Sequence, residues 1–282
     1  MAGARAIWER GKMIDLIAEM LSYKFLVRAA TVGLMVSLCA ALLGVSLVLK
    51  RYSMIGDGLS HVGFGALAAA VATGASPLGL SIPVVIVAAV LLMRLTDGSG
   101  IKGDAAIGLI STSSLAAGVT AISLSSGINT DVCNYMFGSI LAMSKGDVRL
   151  SVATSAAVLL LFLLCYNRIF AVTFDENFAR ATGVNAGRYN MVIAALTGVT
   201  IAVGMRLMGA LLISGLIIFP AVTSMRLFKS FRGVVLSSAA VSLSSYLAGL
   251  VLSYAAGLPA GASIVLVNLV FFLAFAAAGR IR

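Results

Sequence analysis

Apolar residues fill this chain in long runs rather than in strict alternation. Nine stretches, 25–49, 55–75, 78–95, 106–123, 149–167, 190–205, 207–225, 234–256 and 258–279, approach or exceed the length that crosses a bilayer and hold few charges. Val234–Ala256 and Leu258–Gly279 hold none, and Phe25–Leu49 holds only Arg28. Residues 190–225 read either as two helices or as one broken helix. The expected fold is therefore all-α, a polytopic membrane bundle of about nine transmembrane helices, with eight as the alternative count. In residues 1–24 the apolar positions Met13, Ile14, Ile17, Met20 and Leu21 recur at spacings of three and four, which predicts a helix lying in the membrane interface. The organisation is then an amphipathic segment, 1–24, followed by a transmembrane domain, 25–282. The run Tyr135–Met143 is too short to span and reads as a half-helix or re-entrant piece.

Composition agrees. Hydrophobic residues make up 61% of the 282 and charged residues only 11%, with a mean hydropathy of +1.09. A soluble domain would carry roughly 25% charged residues. The net charge of +10 would suggest nucleic acid in a soluble protein. Here the basic residues fall in short loops, where they set topology, and no nucleic-acid partner is expected. The 29 glycines suit close helix packing in lipid. Cys39, Cys133 and Cys165 lie far apart with no C-x-x-C spacing, so a disulfide framework is not expected. Because the spans begin near the start, no cleavable signal peptide is needed.

Orientation follows from Lys and Arg. With nine spans and the N-terminus outside, the cytoplasmic loops hold twelve: Lys50, Arg51, Arg94, Lys102, Arg168, Arg180, Arg188, Arg226, Lys229, Arg232, Arg280 and Arg282. The outer loops hold three, Lys145, Arg149 and Arg206, with five more in the N-terminal region (Arg5, Arg10, Lys12, Lys24, Arg28) set aside. The ratio favours this orientation, and the N-terminal charges argue against it.

One histidine exists, and it lies in a span. His61 follows Asp57 by four residues, so on a helix the two share a face. Ionisable groups within a span are costly and mark function by default. One carboxylate oxygen and one imidazole nitrogen suit Zn²⁺ or Mn²⁺. Two bland alternatives remain at this point: the pair merely satisfies itself, or Asp57 caps its helix. Two ligands are few for an ion, and a symmetric homodimer would bring four to its axis. Asp57 reads as the sole acid in or at the edge of a span, with Asp97, Asp104, Asp175 and Glu176 in cytoplasmic loops and Asp131 and Asp147 outside. That argues against an ion-coupled secondary transporter. Enzyme chemistry is disfavoured too, because H-E-x-x-H and a second intramembrane Asp are both missing, and Ser60 points away from its neighbour His61. The chain also has no G-x-x-x-x-G-K-[ST] loop. If ATP drives this protein, another chain binds it.

Four segments carry a more specific signal. Val48-Leu-Lys-Arg-Tyr-Ser-Met-Ile-Gly-Asp-Gly-Leu-Ser-His61 resembles the second-helix signature of the zinc/manganese-type permeases of ABC importers. Tyr135–Met143 followed by Asp147 is similar to that family's Phe-Gly-Ser segment, and Phe174–Val184 to its acidic-x-x-x-Ala-x-x-x-Gly loop. Met208-Gly-Ala-Leu-Leu-Ile-Ser-Gly-Leu-Ile-Ile-Phe-Pro-Ala221 resembles its Gly-Ala-Leu-Leu…Pro-Ala helix. Gly58 stands where the family usually has a residue such as alanine.

The resemblance implies a homodimeric permease in a prokaryotic plasma membrane, built like a shortened vitamin B12-type permease that lacks a first helix. It implies two cytoplasmic ATP-binding subunits, an extracytoplasmic metal-binding protein, and a transported divalent metal (zinc or manganese, with iron a third choice) rather than a resident cofactor. Asp57 and His61 map onto its intramembrane metal positions. The loop Ala221–Gly233 would dock the ATPase, through Arg226, Lys229 and Arg232, with Asp175 and Glu176 in the nearby loop to Arg188. Physically, Pro220 and the polar-basic run Thr223–Arg232 would end the helix and offer Arg226, Lys229 and Arg232 to an acidic partner. The outer segment 129–134 offers Asp131 and Cys133 as an entry site. The competing readings are an ABC permease for a metal chelate or cobalamin, and a secondary metal transporter acting alone.

Overall fold

The computed structural model describes residues 18–20, 22–98, 103–124 and 144–281, and its elements are all helices. In chain order they are α1 (Lys24–Leu49), α2 (Ile55–Thr73), α3 (Pro77–Gly98), α4 (Gly103–Leu124), α5 (Lys145–Phe174), α6 (Glu176–Ala181), α7 (Ala186–Met208), α8 (Ala210–Met225), α9 (Phe231–Ala256) and α10 (Ala260–Ile281). Among the described residues, eight helices are long and apolar enough to cross a membrane, and α8 is a shorter apolar helix. The interfacial helix expected over 1–24, the run Tyr135–Met143, and Asp131 and Cys133 fall mostly or wholly outside the described residues.

Polar side chains punctuate these helices. Ser144 accepts a hydrogen bond from the Asp147 N–H (3.1 Å), and Asp147 accepts one from the Ser144 N–H (3.2 Å), which starts α5 with a reciprocal cap. Asp175 caps α6, Asn185 caps α7 and Ser230 caps α9 in the simpler one-way form.

Residues 190–225 form two helices. Gly209 turns the chain with φ 85° and ψ 161°, a conformation open essentially to glycine alone. The halves fold back on each other: a β-carbon on Gly204 would lie 2.5 Å from Ile213 of the returning helix. Helix α8 ends at Met225, as the span 207–225 predicts, but the part given to Pro220 in ending it is corrected. Pro220 sits buried inside α8, which continues to Met225. Proline removes one backbone donor, but α8 is wedged among α1, α9 and α10, and tertiary packing outweighs the local loss. The docking loop thereby shrinks, and Arg232 belongs to the first turn of α9.

The bundle is built around α1, the most buried span at 72% of its apolar window, against 17% for α4 at the periphery. Hydroxyls stitch α9 to it: Ser242 donates to the Ser37 carbonyl (2.9 Å) and Tyr246 to that of Ala29 (3.0 Å). On the other side α1 meets α8 at Gly44, where a β-carbon would sit 2.1 Å from the Ile217 carbonyl oxygen. Close backbone approach through small residues is how helices associate without a hydrophobic driving force between them. The same device sets α2 against α4, where a β-carbon on Gly118 would lie 2.9 Å from Cα of Gly65. One end of the bundle gathers the α1–α2 turn, α6 and the α8–α9 connection, since Lys50 meets Glu176 and the Phe231 ring meets that of Phe174. At the other end Asp147 and Arg206 pair at 3.3 Å.

Candidate metal site

The tight α2–α4 contact fixes the helix that carries the candidate ligands. Asp57 lies in the first turn of α2 and His61 one turn on. Asp57 Oδ2 and His61 Nε2 are 3.7 Å apart, so the two side chains converge as their spacing requires. That separation is beyond hydrogen-bond length. Among the described residues neither side chain forms a hydrogen bond, and Asp57 caps nothing: the residue preceding α2 is Met54. The capping alternative loses its support, while at 3.7 Å the two groups remain within ion-pair reach of each other. The carboxylate is about half exposed (52%) and the imidazole a third (32%), while adjacent Ser60 is buried and donates to the Gly56 carbonyl at 2.7 Å. An open oxygen and an open nitrogen aimed at one point form half of a transition-metal shell. Among the described residues no group of three or more His, Cys, Asp or Glu could hold a metal, so the described residues of one chain bring together only this pair.

Asp57 is not alone among acids at helix ends, which corrects the expectation. Asp104 occupies the first turn of α4 and Asp147 that of α5. Asp147 is committed to the cap of its helix and to Arg206. The apolar runs mark spans too narrowly to include such first turns.

The residues expected to dock an ATPase divide into two groups. Arg226, Lys229 and Arg232 are exposed, with the Arg226 guanidinium 5.3 Å from the centre of the Phe272 ring. Asp175 is exposed and caps α6. Glu176 instead points into the protein. It accepts hydrogen bonds from Arg180 Nη2 (2.7 Å) and Asn190 Nδ2 (3.2 Å), and lies 3.7 Å from Lys50 Nζ. Burial pushes its carboxyl up, but Lys50, Arg180 and Asn190 together hold it below the ordinary carboxylate range. Lys50 closes the ring by donating to Asn190 Oδ1. The sequence offered two signals for this triad, a lysine beside the Asp57 motif and an asparagine opening an apolar span, and hydropathy reads both as boundary residues.

Comparison with known proteins meets this geometry. Residues 22–278 match the family profile described as the ABC 3 transport family. The manganese import system permease protein ScaB of Streptococcus gordonii is 28% identical over 92% of this chain and 93% of its own length. The high-affinity zinc uptake system membrane protein ZnuB of Haemophilus influenzae is 28% identical, covering 89% of this chain and 96% of that protein. A solved structure, PsaBC from Streptococcus pneumoniae in complex with Fab, superposes with a TM-score of 0.79 at 29% identity, covering 93% of this chain and 94% of that one. The matched span takes in every described helix but the last residues of α10, and with it the open Asp57–His61 pair. The chain therefore belongs to the ABC 3 transport family, as one of its membrane-spanning permeases.

Proposed function

We propose that this chain is the permease of an ATP-driven importer that passes a divalent transition-metal ion, zinc or manganese, through a site containing Asp57 and His61. The observation that carries the reading is the open pair itself. Two ionisable groups on a transmembrane helix are held at 3.7 Å with no hydrogen-bond partner among the described residues. Such groups are expensive in lipid unless they face water, a ligand or a partner. A second copy of the chain supplies the missing half: two-fold symmetry would set two Asp57 and two His61 around one axis. Surface chemistry supports a partner on this side. Exposed positions of α4 include the small or hydroxylated Gly108, Thr112, Ala116 and Thr120 interspersed with Leu109, Val119 and Leu124, whereas α5 exposes the cluster Leu160, Leu161, Leu163 and Leu164.

The remaining assembly follows the family. The ATPase docks on the cytoplasmic end, at α6 and the exposed Arg226, Lys229 and Arg232. Phe174 and Phe178 stand exposed there beside Asp175, giving that end an apolar anchor with a charged rim. An extracytoplasmic metal-binding protein delivers the ion at the opposite end, and the N-terminus lies outside. Both relatives named above, one for manganese and one for zinc, are consistent with one O/N donor set, since geometry and availability decide between such ions.

The test is uptake of Mn²⁺ and of Zn²⁺ per assembled complex, with Asp57→Asn and His61→Ala. Each change should abolish uptake while the ATPase still co-purifies. Uptake at the wild-type level in both variants would sink the site.

A further inference from the structure

Lys50, Asn190 and Glu176 join three parts of the fold. Lys50 follows α1 directly, Glu176 opens α6 and Asn190 lies in the second turn of α7. Asn190 is 2% exposed and the Lys50 side chain 9%. Three contacts close the ring: Lys50 to Asn190, Asn190 to Glu176, and Glu176 to Lys50.

The turn that leads from Lys50 into the metal-carrying helix α2 is stiff. The Arg51 N–H donates to Val48 (3.1 Å) and the Tyr52 N–H to Leu47 (2.8 Å), the paired bonds that close a helix C-terminus. Arg51 takes the left-handed conformation at φ 64°, where glycine is usual. Tyr52 then pairs its hydroxyl with Thr96 at 3.0 Å, anchoring the turn to α3. A displacement at Lys50 is thus carried into α2 with little slack to absorb it.

The surroundings of the triad leave room for movement. A polar cavity of about 260 Å³ borders it, lined by Lys50, Tyr52, Thr173, Glu176 and Asn190. Among the described residues the buried Thr173 hydroxyl beside it has no hydrogen-bond partner. A close-packed interior resists displacement, whereas a polar cavity large enough for water lets charged groups trade partners.

We propose that the Lys50–Asn190–Glu176 triad is the joint through which movement of α6 reaches Asp57 and His61. The role rests on the proposed docking of an ATPase at α6. Glu176 moves with α6, Asn190 holds the fixed side on α7, and Lys50 passes the displacement into the α1–α2 turn. The triad then belongs to the coupling of ATP hydrolysis to metal passage rather than to metal binding.

The experiment uses the permease assembled with its ATPase in liposomes, and reads Mn²⁺ and Zn²⁺ taken up per ATP hydrolysed. Two variants are compared, Lys50→Met/Glu176→Gln and Lys50→Arg. The double change removes both charges together, which a fold tolerates better than the loss of one. Lys50→Arg keeps the charge but replaces a compact ammonium with a planar fork. In each, hydrolysis should continue and the uptake-to-hydrolysis ratio should fall at least tenfold. A wild-type ratio in either assembled variant overturns the joint and leaves the importer reading standing. Failure of both variants to assemble makes the triad a structural bridge and overturns its coupling role. Failure of the unaltered chain to bind any ATPase overturns the importer reading and the joint together.

Discussion

Lys50 and the Asp57–His61 pair lie on either side of one turn, yet the two charged clusters they belong to are built on opposite terms. Asp57 and His61 stand half open on the rim of the bundle, near each other without a hydrogen bond. Lys50, Asn190 and Glu176 close on themselves, with Asn190 and most of Lys50 shut away from solvent. Buried polar groups are normally satisfied, because an orphaned one costs about 1–3 kcal/mol. The closed triad obeys that rule and reads as architecture and linkage. The open pair leaves its donor atoms unspent, as a site does when its ligand comes and goes. Proximity in sequence therefore says little about shared purpose; the state of satisfaction separates them.

That contrast can be broken by experiment, and the largest effect is expected at the open pair. Zn²⁺ or Mn²⁺ should raise the melting temperature of the wild-type protein, since a ligand that binds only the folded state stabilises it. Asp57→Asn and His61→Ala should erase that shift, while metal-free stability stays within about 0.5 kcal/mol of wild type, since a partly exposed i,i+4 pair contributes little. Metal-free stability falling by several times that amount would turn the open pair into a second structural cluster.

The triad should respond in the opposite sense. Lys50→Met is expected to lower metal-free stability by about 1–2 kcal/mol, less than a fully buried pair because Glu176 is about one-third exposed. Its metal-induced melting shift should survive intact. Thermal denaturation in detergent, with and without metal, measures both quantities on one sample.

Acid offers the finest cut. The Glu176 carboxyl is held below its ordinary value of 4.5, so its contribution is fully present above that pH and fades as pH falls through the depressed value. Wild-type stability should therefore decline below about 4.5 more steeply than that of Glu176→Gln, which has no proton to take up there. Parallel pH profiles for the two proteins would mean that the carboxylate contributes nothing to the closed cluster.

The bundle was legible in the sequence because lipid demands long uninterrupted apolar helices. Predicted span 55–75 became Ile55–Thr73, and 234–256 became Phe231–Ala256. Asp57 and His61 were legible for a related reason, since ionisable groups stand out against apolar surroundings and helical spacing is local. Three things depended on neighbours distant in the chain and were not legible. Pro220 looked like a stop because its local cost is real, and only packing against α1, α9 and α10 overrides it. Glu176 looked like a surface acid until Lys50, far back in the chain at the end of α1, and Asn190 on the next helix came to it. Asp147 looked like a loop residue, although its backbone opens α5 and its side chain reaches Arg206 on α7.

The hairpin at Gly209 reaches back to how the protein is made. At 16 residues α8 extends only about 24 Å, less than the roughly 30 Å of a bilayer's hydrocarbon core. Leaving the ribosome on its own, such a segment could not bring both of its polar ends to water. It has to enter the membrane already leaning on α7, so the unit of insertion is the pair, and the glycine between them sets when that pair can form. A side chain at position 209 should therefore appear first as a biogenesis defect, in the amount of chain that reaches the membrane, with the molecules that do arrive still able to carry metal. Pulse-labelled insertion of Gly209→Val beside wild type would show it; equal insertion of the two would mean that α8 finds its place after delivery.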